Sequence, residues 1–117
     1  MKIIRSEERI RRICEAGLDR KAEDIVVMEM GPKSSLCEYF VVMSGSSSVR
    51  VKAIVDHIEE SLEAEGMRAL HKEGYAEAAW VLLDYGDIIV HVFYDDTRKF
   101  YDLENLWGDV RKEIYLP

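Results

Sequence analysis

A chain of 117 residues, 48% of them hydrophobic, is long enough to bury the core of one domain and too short for a catalytic domain with a separate substrate domain. Its net charge of −7 and pI near 5.0 argue against a protein that wraps nucleic acid, because phosphate binding depends on clustered Lys and Arg. A basic protein surface suits it better as a partner, since opposite potentials steer encounter and penalise wrong partners.

Ser6 followed by Glu7 and Glu8 marks a helix start, and Ile10, Ile13, Cys14 and Leu18 then recur at helical spacing. The N-terminal stretch MKIIRSEERIRRI has neither the uninterrupted apolar core nor the cleavage site of a signal peptide, and no apolar run approaches membrane-spanning length. A cytoplasmic protein that meets no membrane is expected. The run IVVMEM, closed by Gly31-Pro32, reads as a strand, and Tyr39 to Met43 as a second. A serine of the turn Ser44-Gly45-Ser46-Ser47-Ser48 caps the next helix, along which Val51, Ile54, Val55, Ile58 and Leu62 keep one apolar stripe until Gly66 stops it. The acidic residues interspersed along that helix, Asp56, Glu59, Glu60, Glu63 and Glu65, read as a solvated outer face.

Met67 to Leu70 is the candidate for a short strand, HKEGYAEAA for a loop, and WVLLDYGDIIVHVF for a hairpin of two apolar strands. From Thr97 the tail carries Tyr101, Leu103, Leu106 and Trp107 at spacings that suit a short helix docked on the sheet. The order α-β-β-α-β-β-β-α predicts an α/β fold, one domain over 1–117 with a mixed sheet of about five strands flanked by helices. Strands 81–83 and 88–93 are apolar at successive positions, which predicts that both of their faces are covered, by helices or by a partner.

Asp84-Tyr85-Gly86 fits a three-residue loop that pairs Leu83 with Asp87 and puts Trp80, Leu82, Ile88, Val90 and Val92 on one face. A two-residue turn at Tyr85-Gly86 instead sets Trp80 opposite His91, because a one-residue slip exchanges the faces. Both registers stay open. Asp84 and Asp87 are the residue types of a metal site or an acid/base pair, yet aspartates flanking a tight turn serve first as turn formers. Ser44-Gly45-Ser46, between a strand and a helix, is similar to the phosphate-binding turn of nucleotidyltransferases. That chemistry needs a metal-binding Asp-x-Asp or Asp-x-Glu shortly afterwards, and VRVKAIVDHIEE offers none at its start. A nucleotide-binding or nucleotidyl-transferring enzyme built on Gly45, Ser46, Asp84 and Asp87 is therefore the second reading.

His57, His71 and His91 each lack a ligand-spaced neighbour; His91 is expected as a hydrogen-bonded, largely buried imidazole, or else as a partner contact. Cys14 and Cys37 form no CxxC motif and read as reduced, buried thiols, so no metal and no cofactor is expected. Trp80 either fills core or, beside acidic loops, supplies the aromatic anchor of a binding hot spot.

The segments EYFVVMSGSSS, VKAIVDHIEESLEAEG, EGYAEAAWVLLDYGDIIVHVF and RKFYDLENLWGD, in this order and spacing, resemble the ribosome silencing factor family, also called the Iojap family. The likeness runs from Lys21 to Val110. It departs at Val49-Arg50, where members commonly carry Arg-Gln, and at Ala79, where a glycine often precedes the tryptophan. The resemblance implies a nucleotidyltransferase-like α/β domain that is not an enzyme and is often dimeric. It further implies binding to the large ribosomal subunit at the ribosomal protein numbered fourteen, near the subunit interface, and a block on joining of the small subunit, which represses translation. On this reading Trp80, Leu82, Asp84, Tyr85, Asp87 and His91 of the hairpin form the docking surface with Tyr101, Leu106 and Trp107 of the tail. Trp80 is the apolar anchor, and Asp84 and Asp87 meet Lys or Arg of the ribosomal protein. No direct sequence-specific nucleic-acid binding is expected, and a homodimer is expected off the ribosome.

Overall fold

The computed structural model describes residues 6–116; the first five residues of the stretch expected to lack a targeting signal, and the expected domain bounds at 1 and 117, lie outside them. Helix α1 (Ser6–Asp19) begins at the predicted serine, and its stripe of Ile10, Ile13 and Cys14 is buried. The first strand, β1 (Glu23–Glu29), starts two residues earlier than its apolar run, and β2 (Tyr39–Gly45) extends through the first serine of the turn to Gly45. Ser47 caps α2 (Ser48–Glu63): its side chain accepts the Arg50 N–H at 3.1 Å, filling one of the orphan donors of a helix start. At the other end Gly66 takes φ +81°, and Met67 N–H reaches back to the Leu62 carbonyl, closing the helix as a Schellman motif.

The short strand expected at Met67 to Leu70 lies one step later, at β3 (His71–Glu73), within the stretch read as loop. Period and propensity miss it because all three residues are exposed; pairing with β4 (Trp80–Asp84) makes the strand. Then β5 (Ile88–Tyr94) runs directly into α3 (Asp95–Tyr101) and the single turn α4 (Leu103–Leu106). A strand the sequence did not suggest, β6 (Lys112–Ile114), closes the order as an edge.

The result is an α/β fold around one mixed sheet of six strands, ordered β3-β4-β5-β2-β1-β6. Only β2 and β5 run parallel, paired from Tyr39↔Ile88 to Gly45↔Tyr94; every other neighbouring pair is antiparallel. Helices α1 and α2 cover one face, over Ile25, Val41, Met43, Val81, Leu83, Val90 and Val92. On the other face a second cluster, Met28, Val42, Phe93, Leu103 and Val110, lies under the chain from α4 onward. Lys112 ties that chain down by donating to the carbonyls of Trp107 (3.0 Å) and Val110 (3.3 Å).

The hairpin takes neither anticipated register. Asp84 pairs with Ile89 and Trp80 with Phe93, and Tyr85 N–H donates to the Ile88 carbonyl at 2.9 Å, so the turn is the two residues Gly86-Asp87. Gly86, at φ +87°, holds the first central position, where a type II′ turn needs glycine. Asp84 Oδ1 accepts the Gly86 N–H at 2.7 Å and preforms the bend, an aspartate contribution that hydrophobic patterning does not reveal. The slip is two residues from the anticipated two-residue turn, so its faces survive: Trp80, Leu82, His91 and Phe93 share one side, and Val81, Leu83, Val90 and Val92 the other. The three-residue-loop assignment, with Trp80 beside Val90 and Val92, is overturned.

Gly74 fixes how the chain enters β4. It adopts φ +81°, and a Cβ there would sit 2.1 Å from the Trp80 carbonyl oxygen. Gly66 has the same φ with nothing within 4 Å, so the two glycines separate backbone strain from collision. Gly66→Ala is expected to cost about 1 kcal/mol of stability, from the left-handed conformation alone. Gly74→Ala is expected to cost about 2–3 kcal/mol because the start of β4 must also shift. Urea unfolding of the two variants checks this; equal losses would show that the close approach at Trp80 contributes nothing.

Candidate functional site

Strand alternation sends Trp80, Leu82 and Asp84 of β4 and Ile89, His91 and Phe93 of β5 to the face away from α1 and α2. Phe40, Val42 and Ser44 of β2 join them there through the parallel pairing. The tail covers this face over β1, and His91 and Phe93 of β5 are buried on it as well, whereas Trp80, Leu82, Ile89 and Phe40 are only partly buried. The expectation that both strands are covered on both faces thus holds for most of β5, while for β4 it holds fully on the helix side alone. Next to Leu82, the neighbouring strand places Glu73 directly opposite it and His71 opposite Asp84, so carboxylates border the apolar strip.

Trp80 is held on several sides. Its indole stacks on buried Phe93 (centroids 4.8 Å, 28° between planes), and Tyr101 of α3 packs at 4.8 Å with a 49° tilt. Its Nε1–H donates to His91 Nδ1 at 3.0 Å. An indole nitrogen only donates, so Nδ1 is the acceptor and the imidazole is neutral with its proton on Nε2. That Nε2 is buried and has no hydrogen-bond partner among the described residues, while Phe40 sits edge-on to the ring at 4.5 Å. Leaving a buried donor unmet costs about 1–3 kcal/mol, so the ring's orientation serves Trp80 at the expense of its own second nitrogen.

Arg98 anchors α3 against the end of the sheet. Its Nη1 donates to Ser44 Oγ at 2.8 Å, and Nε and Nη2 both reach Glu104 Oε2, at 3.3 and 3.0 Å. Arg98 is buried, and its hold on β2 and α4 sets where Tyr101, three residues on, meets Trp80. Asp95 and Asp96 in the first turn and Arg98 and Lys99 in the last suit the helix dipole.

The remaining expected residues are spread around this core. Tyr85 packs with the α1–α2 cluster on the opposite face, and burial raises its hydroxyl pKa. Asp87 forms a two-pronged ion pair with Arg9 of α1, one arm at 2.8 Å. Trp107 packs into the second cluster, and Leu106 is exposed on α4. Thus Trp80, Leu82, His91 and Tyr101 converge, Asp84 continues the same strand face, and Tyr85 does not share it. Phe40, Ile89, Phe93 and Arg98 belong to the site although no sequence signal singled them out. For Phe40 the missing information was the parallel β2–β5 register; for Arg98 it was a hydrogen bond to a residue 54 positions away.

The topology also bears on the enzymatic alternative. Gly45 pairs with Tyr94 and Tyr39 with Ile88, so the Gly-Ser turn lies six strand steps, roughly 20 Å, from the Asp84–Asp87 turn. Gly45, Ser46, Asp84 and Asp87 cannot line one active site. Among the described residues no group of three or more His, Cys, Asp or Glu is placed to hold a metal ion, and no helix is long and apolar enough to cross a membrane.

Burial lowers the pKa of His91 from 6.5 to about 4. Between those values the unfolded chain binds a proton at this residue that the folded chain does not, so this contribution to stability is present above about pH 6.5 and declines as pH falls toward 4. The loss amounts to about 3 kcal/mol over that interval. Unfolding free energies measured from pH 7 to 4 should fall more steeply for the natural protein than for His91→Asn; parallel curves would show that His91 is not buried neutral. Separately, Arg98→Met should lower stability by about 1–3 kcal/mol, since Ser44 and Glu104 lose their partner. Chemical denaturation measures that loss, and a neutral result would refute Arg98 as the anchor of α3.

Residues 3–116 match the family model described as "Ribosomal silencing factor during starvation". "Ribosomal silencing factor RsfS" of Bacillus subtilis is 43% identical over 91 residues, covering 78% of this chain and 77% of the relative. A crystal structure of a Chromobacterium violaceum protein superposes with a TM-score of 0.87 at 31% identity, over 97% of this chain and 95% of that one. Another, from Bacillus halodurans, gives a TM-score of 0.80 at 36% identity, over 87% and 95%. The match over nearly the whole chain shows that it belongs to the ribosomal silencing factor family, a family of non-enzymatic translation regulators.

Proposed function

We propose that this chain binds the large ribosomal subunit through the open β3–β4–β5 face, at the ribosomal protein numbered fourteen, and represses translation by sterically blocking the small subunit. The observation that carries this is Trp80: a large aromatic, partly exposed on the sheet face away from α1 and α2 and held there by Phe93, Tyr101 and His91. Ordered aromatics in a desolvating surround are the side chains on which binding energy concentrates. Leu82, Ile89 and Phe40 extend the apolar strip, and the Glu73 and Asp84 carboxylates at its border suit the Lys and Arg of a ribosomal protein. Asp87, engaged by Arg9, contributes to the potential of that border from within its own ion pair. Tyr85 supports the surface from behind the sheet, and Leu106 and Trp107 extend it along the tail. The chain acts as one domain in the cytoplasm, needs no cofactor, and forms a homodimer when off the ribosome.

Exclusion is an equilibrium effect, so the block on subunit joining should rise with protein concentration, saturate near one copy per large subunit, and reverse on dilution. Light scattering of mixed purified subunits tracks this, with the small subunit added before or after the protein. Inhibition at a small fraction of the ribosome concentration, persisting after the protein is washed away, would refute the steric mechanism. Trp80→Ala should weaken binding to large subunits by about 2–4 kcal/mol, roughly thirty- to a thousand-fold. Circular dichroism of the same sample separates lost docking from lost folding, and a folded variant that binds normally would move the docking surface elsewhere.

A further inference from the structure

We infer that His91 is the positioning residue of the docking surface: its Nδ1 takes the Trp80 indole proton and fixes the half-exposed pose in which the indole meets the partner. The inference rests on the proposed docking role of Trp80 and assigns His91 to act through it, beneath the surface, without touching the ribosomal partner.

Three observations carry it. His91 is 4% exposed, so a docked protein that leaves the fold intact has almost none of it to touch. Its position on the central strand β5, across from Val42 and Leu82, is one an aliphatic side chain fills without desolvating a polar ring. Yet the site holds an imidazole with one nitrogen accepting from Trp80 and the other without a partner among the described residues. Space-filling does not account for that choice, whereas directional control of the indole does.

Aromatic χ2 torsions are broad and roughly two-fold, so stacking on Phe93 alone leaves the indole free to tilt or flip on its exposed side. Tyr101, itself exposed, contacts the ring without a hydrogen bond to the indole nitrogen. A 3.0 Å hydrogen bond to a buried, packed acceptor selects one orientation before the partner arrives. Ordering the anchor in advance removes a cost that would otherwise fall on binding.

The test is a double-mutant cycle read by affinity for purified large subunits. His91→Leu, which removes the acceptor, should weaken binding about 5- to 20-fold, the scale of one lost hydrogen bond with added disorder. His91→Asn places a carbonyl oxygen near the Nδ1 position and should restore affinity to within about threefold of the natural protein. Trp80→Phe keeps a ring but has no indole N–H to orient, so in that background His91→Leu should cause no further loss. Equal losses from His91→Leu in both backgrounds would overturn the inference, because His91 would then act independently of Trp80. Normal binding by folded His91→Leu, with Trp80→Ala still impaired, would overturn it while leaving the docking reading intact. Normal binding by both would remove the docking reading itself. If His91→Leu does not fold, indole hydrogen exchange in the unaltered protein decides: the Trp80 Nε1 proton should be protected, and exchange at the rate of a free indole would overturn the inference.

Discussion

The parallel pairing of β2 with β5 is the constraint on which the other features depend. Seven residues of each strand stand in register, and parallel neighbours cannot be joined by a tight turn, so the chain must cross over between them. Here the crossover contains α2, which lays its stripe of Val51, Ile54, Val55, Ile58 and Leu62 on one face of the sheet. It then descends through β3 and β4 to reach β5 from the far side. With α1 packed beside α2, that face is closed. Among the described residues the other face receives Met30 and Cys37 of the β1–β2 connection and the chain beyond β5, two short helices and a tail, and these reach only part of it.

That asymmetry in coverage creates the candidate site. A central sheet with helices on both faces leaves no broad apolar strip, whereas this one has Leu82, Ile89 and Phe40 partly exposed on the same face as Trp80. Arg98 limits how far the tail can spread, because its guanidinium fixes α3 and α4 at the Ser44 end of the sheet. Tyr101 then reaches Trp80 from that end and stops there. The same pairing carries the Gly-Ser turn to one end of the sheet and the aspartate turn to the other, so these elements assemble no nucleotide site.

Much of the fold was legible because its two long helices carry unambiguous stripes and its central strands are rich in Val and Ile. What stayed hidden shares one cause, dependence on pairing between distant segments. β3 consists of His71, Lys72 and Glu73, none of them apolar, and β6 is three residues at an edge; each is a strand only because a neighbour offers it a ladder. The hairpin register turned on an aspartate side chain capping Gly86 rather than on the apolar pattern that flanks it. Trp80, Leu82, His91 and Tyr101 could be named from the resemblance and the composition of the hairpin. Phe40, Ile89, Phe93 and Arg98 could not, since their membership depends on which strand lies beside which.

The stretch from Trp80 to Tyr85 shows how the fold divides one continuous motif between two tasks. Trp80, Leu82 and Asp84 point to the open face, while Val81 and Leu83 enter the core under α1 and α2, and Tyr85 packs against that same cluster. The pleat allows no independent movement of the two sets, because each Cβ on one face fixes its neighbours on the other. Packing under the helices therefore sets the position of the backbone from which the indole projects. Gly74 and the Asp84–Gly86 hydrogen bond hold that backbone at its two ends, by close approach at the entrance and by a preformed bend at the exit. Between them β4 is short, and His91 on the adjacent strand needs to settle only the remaining torsions of the Trp80 side chain. Backbone position, ring stacking and ring orientation at Trp80 are thus each set by a different part of the molecule.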